Sequence, residues 1–174
     1  MANASELVGQ VVALESVDET IRIGTRLAVA AIVGVVVGYE REKLHKSAGL
    51  RTHMLVSLGA AVVAMSLGTT GVDQNASSRI IQGVLQGIGF LGAGTILKLG
   101  DKVEVRGLTT AASIWLTASL GVCAGMGRFW LPVVGAAMAW VILVPLAKAE
   151  RRFISPPHPP VAEHDPANDQ SNGT

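Results

Sequence analysis

Arg79-Ile80-Ile81-Gln82-Gly83-Val84-Leu85-Gln86-Gly87-Ile88-Gly89-Phe90-Leu91-Gly92-Ala93-Gly94 is apolar enough to enter a bilayer, yet glycine recurs through it. Glycine inside a helix costs about 1 kcal/mol relative to alanine in water, so this density calls for a physical reason. In lipid, where hydrophobic burial gives no drive for helix association, small residues let two backbones approach closely. At roughly 100° per residue, Gln82, Gln86, Gly89 and Ala93 share one line, Gly83, Gly87 and Gly94 flank it, and Val84, Ile88 and Leu91 lie opposite. The small, polar side is expected to meet a neighbouring helix and the aliphatic side to meet lipid. Thr110, Ser113, Thr117, Gly121 and Ala124 repeat the design one segment later at a 3–4 spacing. The two segments are therefore expected to pair at the centre of a bundle, and Gly87→Leu is expected to cripple assembly.

The whole composition agrees. Of 174 residues, 49% are apolar and only 16% charged, against roughly 25% charged in soluble proteins. The charges also cluster between apolar blocks, as in an all-α integral membrane protein of one domain whose first partner is the lipid bilayer. The net charge of +1 gives no basic field for nucleic acid. Cys123 is the sole cysteine, which excludes an intramolecular disulfide and a cysteine metal cluster; it reads as a buried structural thiol.

Five apolar segments follow from the pattern, at about 23–39, 50–67, 80–97, 108–126 and 129–147. Residues 1–22 read as an arm or peripheral helix, 23–147 as the transmembrane domain, and the Pro-rich stretch 148–174 as a disordered cytoplasmic tail. Gly100-Asp101 signals a small hairpin between Lys98 and Arg106, and Pro145 is read as the end of the fifth span. Gly34/Gly38, Gly83/Gly87 and Gly121/Gly125 are GxxxG pairs. With Gly89, Gly92 and Gly94 they form the expected helix-packing set, large enough to make a homodimer plausible. Five crossings put the termini on opposite sides. Ten of the fourteen basic residues then share one side, so the positive-inside rule sets the N-terminus outside and the C-terminus in the cytoplasm.

Chemistry is sparse. No GxSxG, HExxH, P-loop or usefully spaced acid pair occurs, so no enzyme, cofactor or metal site is expected. His158 and His164 lie in the tail, and His45 and His53 read as solvated interfacial histidines. Ionisable groups in mid-membrane mark ion paths, and none lies in the middle of a span. The densest polar set is Glu40, Arg41, Glu42, Arg51, Thr52, Thr109, Thr110 and Ser113, at one depth on the cytoplasmic side. Glu40 or Glu42 is expected to pair with Arg51. Thr109 and Thr110 open a helix whose free N–H groups favour anions. The set reads either as an interfacial charge girdle with helix capping or as a cytoplasmic pocket or docking surface. Gln82, Gln86 and Thr117 form an expected intramembrane polar line, serving either as a hydrated path or as hydrogen-bonding glue between helices.

Four strings carry a family resemblance: Gly38-Tyr39-Glu40-Arg41-Glu42, Ala48-Gly49-Leu50-Arg51-Thr52-His53, Gly87-Ile88-Gly89-Phe90-Leu91-Gly92-Ala93-Gly94 and Gly107-Leu108-Thr109-Thr110-Ala111-Ala112-Ser113-Ile114-Trp115. In this order and at these separations they resemble the MgtC/SapB membrane family, over about residues 27–144. The resemblance implies a multi-pass bacterial inner-membrane protein of about five spans, linked to growth in low magnesium, stress adaptation and virulence. It implies either a magnesium or small-solute transporter or a non-enzymatic regulator, with other membrane proteins, including the ATP synthase, and small regulatory peptides as partners. Longer members carry an ACT-like soluble domain after the last span. The stretch after Ala147 is too short for one, so the chain resembles the short form.

Overall fold

The computed structural model describes residues 17–67, 74–99 and 104–153. Five helical segments dominate: α1 (Val17–Lys43), α2 (Leu50–Ser66), α3 (Gln74–Gly94), α4 (Leu108–Gly125) and α5 (Trp130–Val141). The last continues through a π-helical turn at Ile142–Leu146 into α6 (Ala147–Phe153). Between α3 and α4, β1 (Leu97–Leu99) pairs antiparallel with β2 (Glu104–Arg106), Lys98 opposite Val105. This is the hairpin expected from the Gly100-Asp101 signal; its turn lies outside the described residues, as do residues 1–16 and 154–174.

Three stretches are long and apolar enough to cross a membrane: Val17–Lys43, Leu108–Gly125 and Trp130–Glu150. Leu50–Ser66 is apolar but has 17 residues. At 1.5 Å per residue the 27 residues of α1 span about 40 Å, longer than the expected first span, and six residues assigned to the N-terminal arm belong to it. Asp18 and Glu19 in its first turn and Arg41 and Lys43 in its last complement the helix dipole. It closes with Lys46 N–H bonded to Arg41 O and His45 N–H to Glu42 O, a Schellman pattern with His45 at φ 49° where glycine is usual. The same closure ends α4: Arg128 N–H bonds Cys123 O and Gly127 N–H bonds Ala124 O, with Gly127 at φ 76°. Pro145 does not end the fifth segment. The wider π turn carries the helix past the missing N–H.

The segments alternate in direction, and α4 is the hub. Gly121 lies against the Ser57 backbone and Gly125 against the Ala61 backbone, so closely that neither has room for a Cβ. On the other side of α2, a Cβ on Gly34 would sit 2.6 Å from Met54 Cα, and one on Gly38 2.8 Å from Leu50 Cα. The central apolar contacts are correspondingly small: Ala60, Ala64, Ala118 and Val122 in one cluster, Ala30, Ala61 and Ala124 in another. On the flank, Val33, Leu120 and Ala136 join α1, α4 and α5.

The expected central pairing of α3 with α4 is corrected in two ways. The centre is α2 against α4. And α3 packs with the opposite face: Ile81, Val84 and Ile88 pack against the cluster of Ala60, Ala64, Ala118 and Val122, while Gln82, Gly83, Gln86, Gly87, Gly89 and Gly94 are exposed. A Cβ on any of those four glycines would meet nothing within 4 Å, and only Gly92 touches α4, at Ala111. The physical reason is that glycine permits close approach without requiring it. Aliphatic surface suffices to seat α3 on α4.

The contrast has a sign. In detergent-solubilised protein, Gly121→Ala should lower the thermal unfolding midpoint, since overpacking costs about 1–3 kcal/mol. Gly87→Ala should raise it, by up to about 1 kcal/mol of helix propensity. Melting followed by circular dichroism checks both.

Candidate functional site

One end of the bundle holds a buried polar network. Arg41, in the last turn of α1, is only 4% exposed. Its guanidinium Nη2 donates to the Thr110 hydroxyl at the start of α4, while its buried Nε has no partner. No carboxylate pairs with it among the described residues. Beside it His53, fully buried, reaches Gly49 O through Nδ1 at 2.8 Å and the Ser113 hydroxyl through Nε2 at 3.1 Å. The Gly49 carbonyl can only accept, so Nδ1 carries a ring proton; with the ring neutral, Nε2 is an acceptor for Ser113. The same hydroxyl lies 2.8 Å from Thr110 O, so one proton has two acceptors in reach. Thr117 continues the line, donating to Ser113 O at 2.7 Å. A hydroxyl at i, i+3 and i+7 of α4 thus presents one polar edge to α1 and α2.

Packing explains why these groups can meet. Gly38 lets α1 settle on Leu50 and His53, and Gly121 lets α2 settle on α4. Gly49 leaves space that the Glu42 carboxylate fills, accepting from Leu50 N–H at 2.9 Å. Glu42 therefore caps α2 instead of pairing with Arg51. Arg51, Thr52 and Thr109 are exposed and Glu40 is half-buried; neither glutamate forms an ion pair with Arg51 among the described residues. Of the eight polar candidates, Arg41, Thr110 and Ser113 converge in the core.

The expected intramembrane polar line does not form within this chain. Thr117 is fully buried, while Gln82 and Gln86 are on the outer face of α3. Sequence reasoning also missed His53, read as solvated. The available signal was spacing: His53, Ser57, Ala60, Ala61 and Ala64 make one small-residue stripe, and a histidine on such a stripe goes inside with it. Arg26 was another miss. It donates to Gly125 O at 3.0 Å, placing a cation on the C-terminal carbonyls of α4.

Next to the network lies a cavity of about 790 Å³, with Arg41, Lys46, Arg106, Thr109 and Thr110 on its polar side and Leu44, Ile142, Leu143 and Leu146 on its apolar side. Among the described residues no group of three or more His, Cys, Asp or Glu side chains converges as a metal site would require.

The sequence profile of the MgtC family matches residues 27–152, most of the chain and all of the network. The chain belongs to the MgtC family. Among its relatives are protein SrpB of Synechococcus elongatus, 39% identical over 72% of this chain and 75% of that protein, and protein MgtC of Salmonella typhimurium, 46% identical over 59% of this chain. YhiD of Escherichia coli K12, which carries a provisional magnesium-transporter name, is 40% identical over 68% of this chain. The match spans 43% of the Salmonella MgtC protein and 57% of YhiD, so those proteins extend well beyond the shared part. No solved structure matches the chain significantly.

In this MgtC-family bundle, His53→Ala removes a ring that satisfies two partners and should destabilise by about 1–3 kcal/mol. Ser57→Ala removes a buried hydroxyl that has no partner and should be neutral or stabilising. Unfolding of the two variants in the same detergent compares them directly.

Proposed function

We propose that the chain is a non-enzymatic, multi-pass protein of the bacterial inner membrane that regulates or docks other membrane proteins during adaptation to low magnesium or stress. Five segments cross, with the N-terminus outside and the Arg41 end in the cytoplasm. Support for the crossing pattern comes from the alternating helix directions and the clustering of ten of fourteen basic residues on one side. The physiological setting comes from family membership.

One observation carries the docking reading: α3 turns its glycine and glutamine face away from its own bundle. Exposed amides facing hydrocarbon lack partners, and a smooth glycine surface supports close approach of another helix. Gln82 and Gln86 beside Gly83 and Gly87 supply both, and Phe90, 83% exposed, adds an apolar knob. A second copy of the chain and a different membrane protein are both compatible occupants.

The second reading, transport of magnesium or another small solute, is favoured by the name that YhiD carries. Against it stands the charge of the buried network. Magnesium binds carboxylates and retains waters, whereas among the described residues the buried ionic group is the cation Arg41.

Magnesium flux into sealed liposomes, read with a trapped magnesium dye under an imposed potential, should equal that of empty vesicles. Flux above that level, lost in Gln82→Leu/Gln86→Leu protein, would make transport the primary function. In cells, Gly87→Leu should leave the protein folded and abundant while abolishing its effect on growth in low magnesium; unchanged growth would remove the α3 face from the proposal.

A further inference from the structure

Arg41 is a permanent cation with almost no exposure and no carboxylate partner among the described residues. Buried charges are normally paired, because desolvation of an uncompensated ion costs several kcal/mol. One threonine hydroxyl accepts from its Nη2, and its Nε donates to nothing. Arg41 is one of the residues lining the cavity, so the missing negative charge has a place to come from.

The remaining walls have matching chemistry. Lys46 closes the Schellman turn of α1, and Arg106 ends β2; both line the cavity. Thr109 and Thr110 bring the first turn of α4, with its free N–H groups and positive dipole end. Gly107 makes this possible. It sits at φ 100°, and its Cα faces the Thr95 carbonyl with no space for a Cβ, so the strand turns directly into the helix. Among the described lining residues Glu150 is the acid, beside the cations Arg41, Lys46 and Arg106, of which Arg106 has an interaction of its own within the chain. The opposite wall is aliphatic, made by Leu143 and Leu146 on the π turn and by Leu44.

We propose that this cavity is a binding site for a phosphate-bearing anion that supplies the counter-charge of Arg41, with an anionic phospholipid as its source. A phosphodiester headgroup meets Arg41 and Lys46, and the aliphatic wall takes the start of an acyl chain. Free phosphate shares the headgroup chemistry but leaves that wall uncovered. Basic pockets between membrane helices are a recurring site for such headgroups. The inference needs only the cavity and its charges, and holds whichever reading of regulation or transport is correct.

The test uses the full-length protein in nanodiscs of phosphatidylcholine, with defined fractions of phosphatidylglycerol, read by native mass spectrometry of retained lipid and by the unfolding midpoint. Phosphatidylglycerol should be retained over phosphatidylcholine and should raise the midpoint. Lys46→Gln, an exposed position whose loss leaves the bundle intact, should weaken that preference by about fivefold, the effect of one basic residue at a headgroup. Arg41→Gln, which removes the buried charge while keeping an amide donor on the side chain, should abolish it. Equal retention of the two lipids, or an unchanged preference in both variants, overturns the proposal. If inorganic phosphate or glycerol phosphate raises the midpoint as much as the lipid does, the anion site stands and the lipid source is overturned.

Discussion

The structure depends on backbone-to-backbone contact between α2 and α4. Gly121 against Ser57 and Gly125 against Ala61 remove the space that side chains would occupy, and alanines fill the remainder of the seam. In lipid such contact has to supply what hydrophobic burial supplies in water: dispersion over many atoms at close range. Gly34 and Gly38 repeat the arrangement between α1 and α2, so three helices are drawn to a separation at which short polar side chains can reach each other.

The polar network is a consequence of that separation. Serine and threonine hydroxyls are short, and a histidine can bridge α2 and α4 only where the helices nearly touch. His53, Ser113 and Thr110 therefore meet about one to three turns from the tight Ser57–Gly121 contact. Two arginines of α1 then address the two ends of α4. Arg41 meets its N-terminal turn, where a cation is electrostatically out of place, and Arg26 meets its C-terminal carbonyl, where a cation is favoured. This asymmetry makes the Arg41 end the chemically unfinished one, and the adjoining basic cavity is where an anion completes it.

The peripheral helix α3 plays a different part. Its aliphatic face is sufficient to seat it, and its glycines and glutamines remain outside. The same residues that would make an effective internal contact thus become an external surface. The distinction matters for function, because an internal polar line belongs to a pathway through one chain and an external one to contact between chains.

Periodicity and composition determined the elements of this protein. The apolar blocks, the GxxxG pairs at Gly34/Gly38 and Gly121/Gly125, the polar edge of α4 and the four family strings were all legible, because each is a local property of the chain. Tertiary structure alone decided which face each helix turns inward. An amphipathic pattern names two faces but not their destinations, and in a membrane either a small or an aliphatic face can pack. Hence Gln86 went outside and His53 inside, Glu42 went to a backbone amide instead of Arg51, and Arg41 was buried without an acid. The reason is common to all four. Each outcome is set by a contact with another helix, such as Thr110 for Arg41, whose position depends on how closely two backbones can approach.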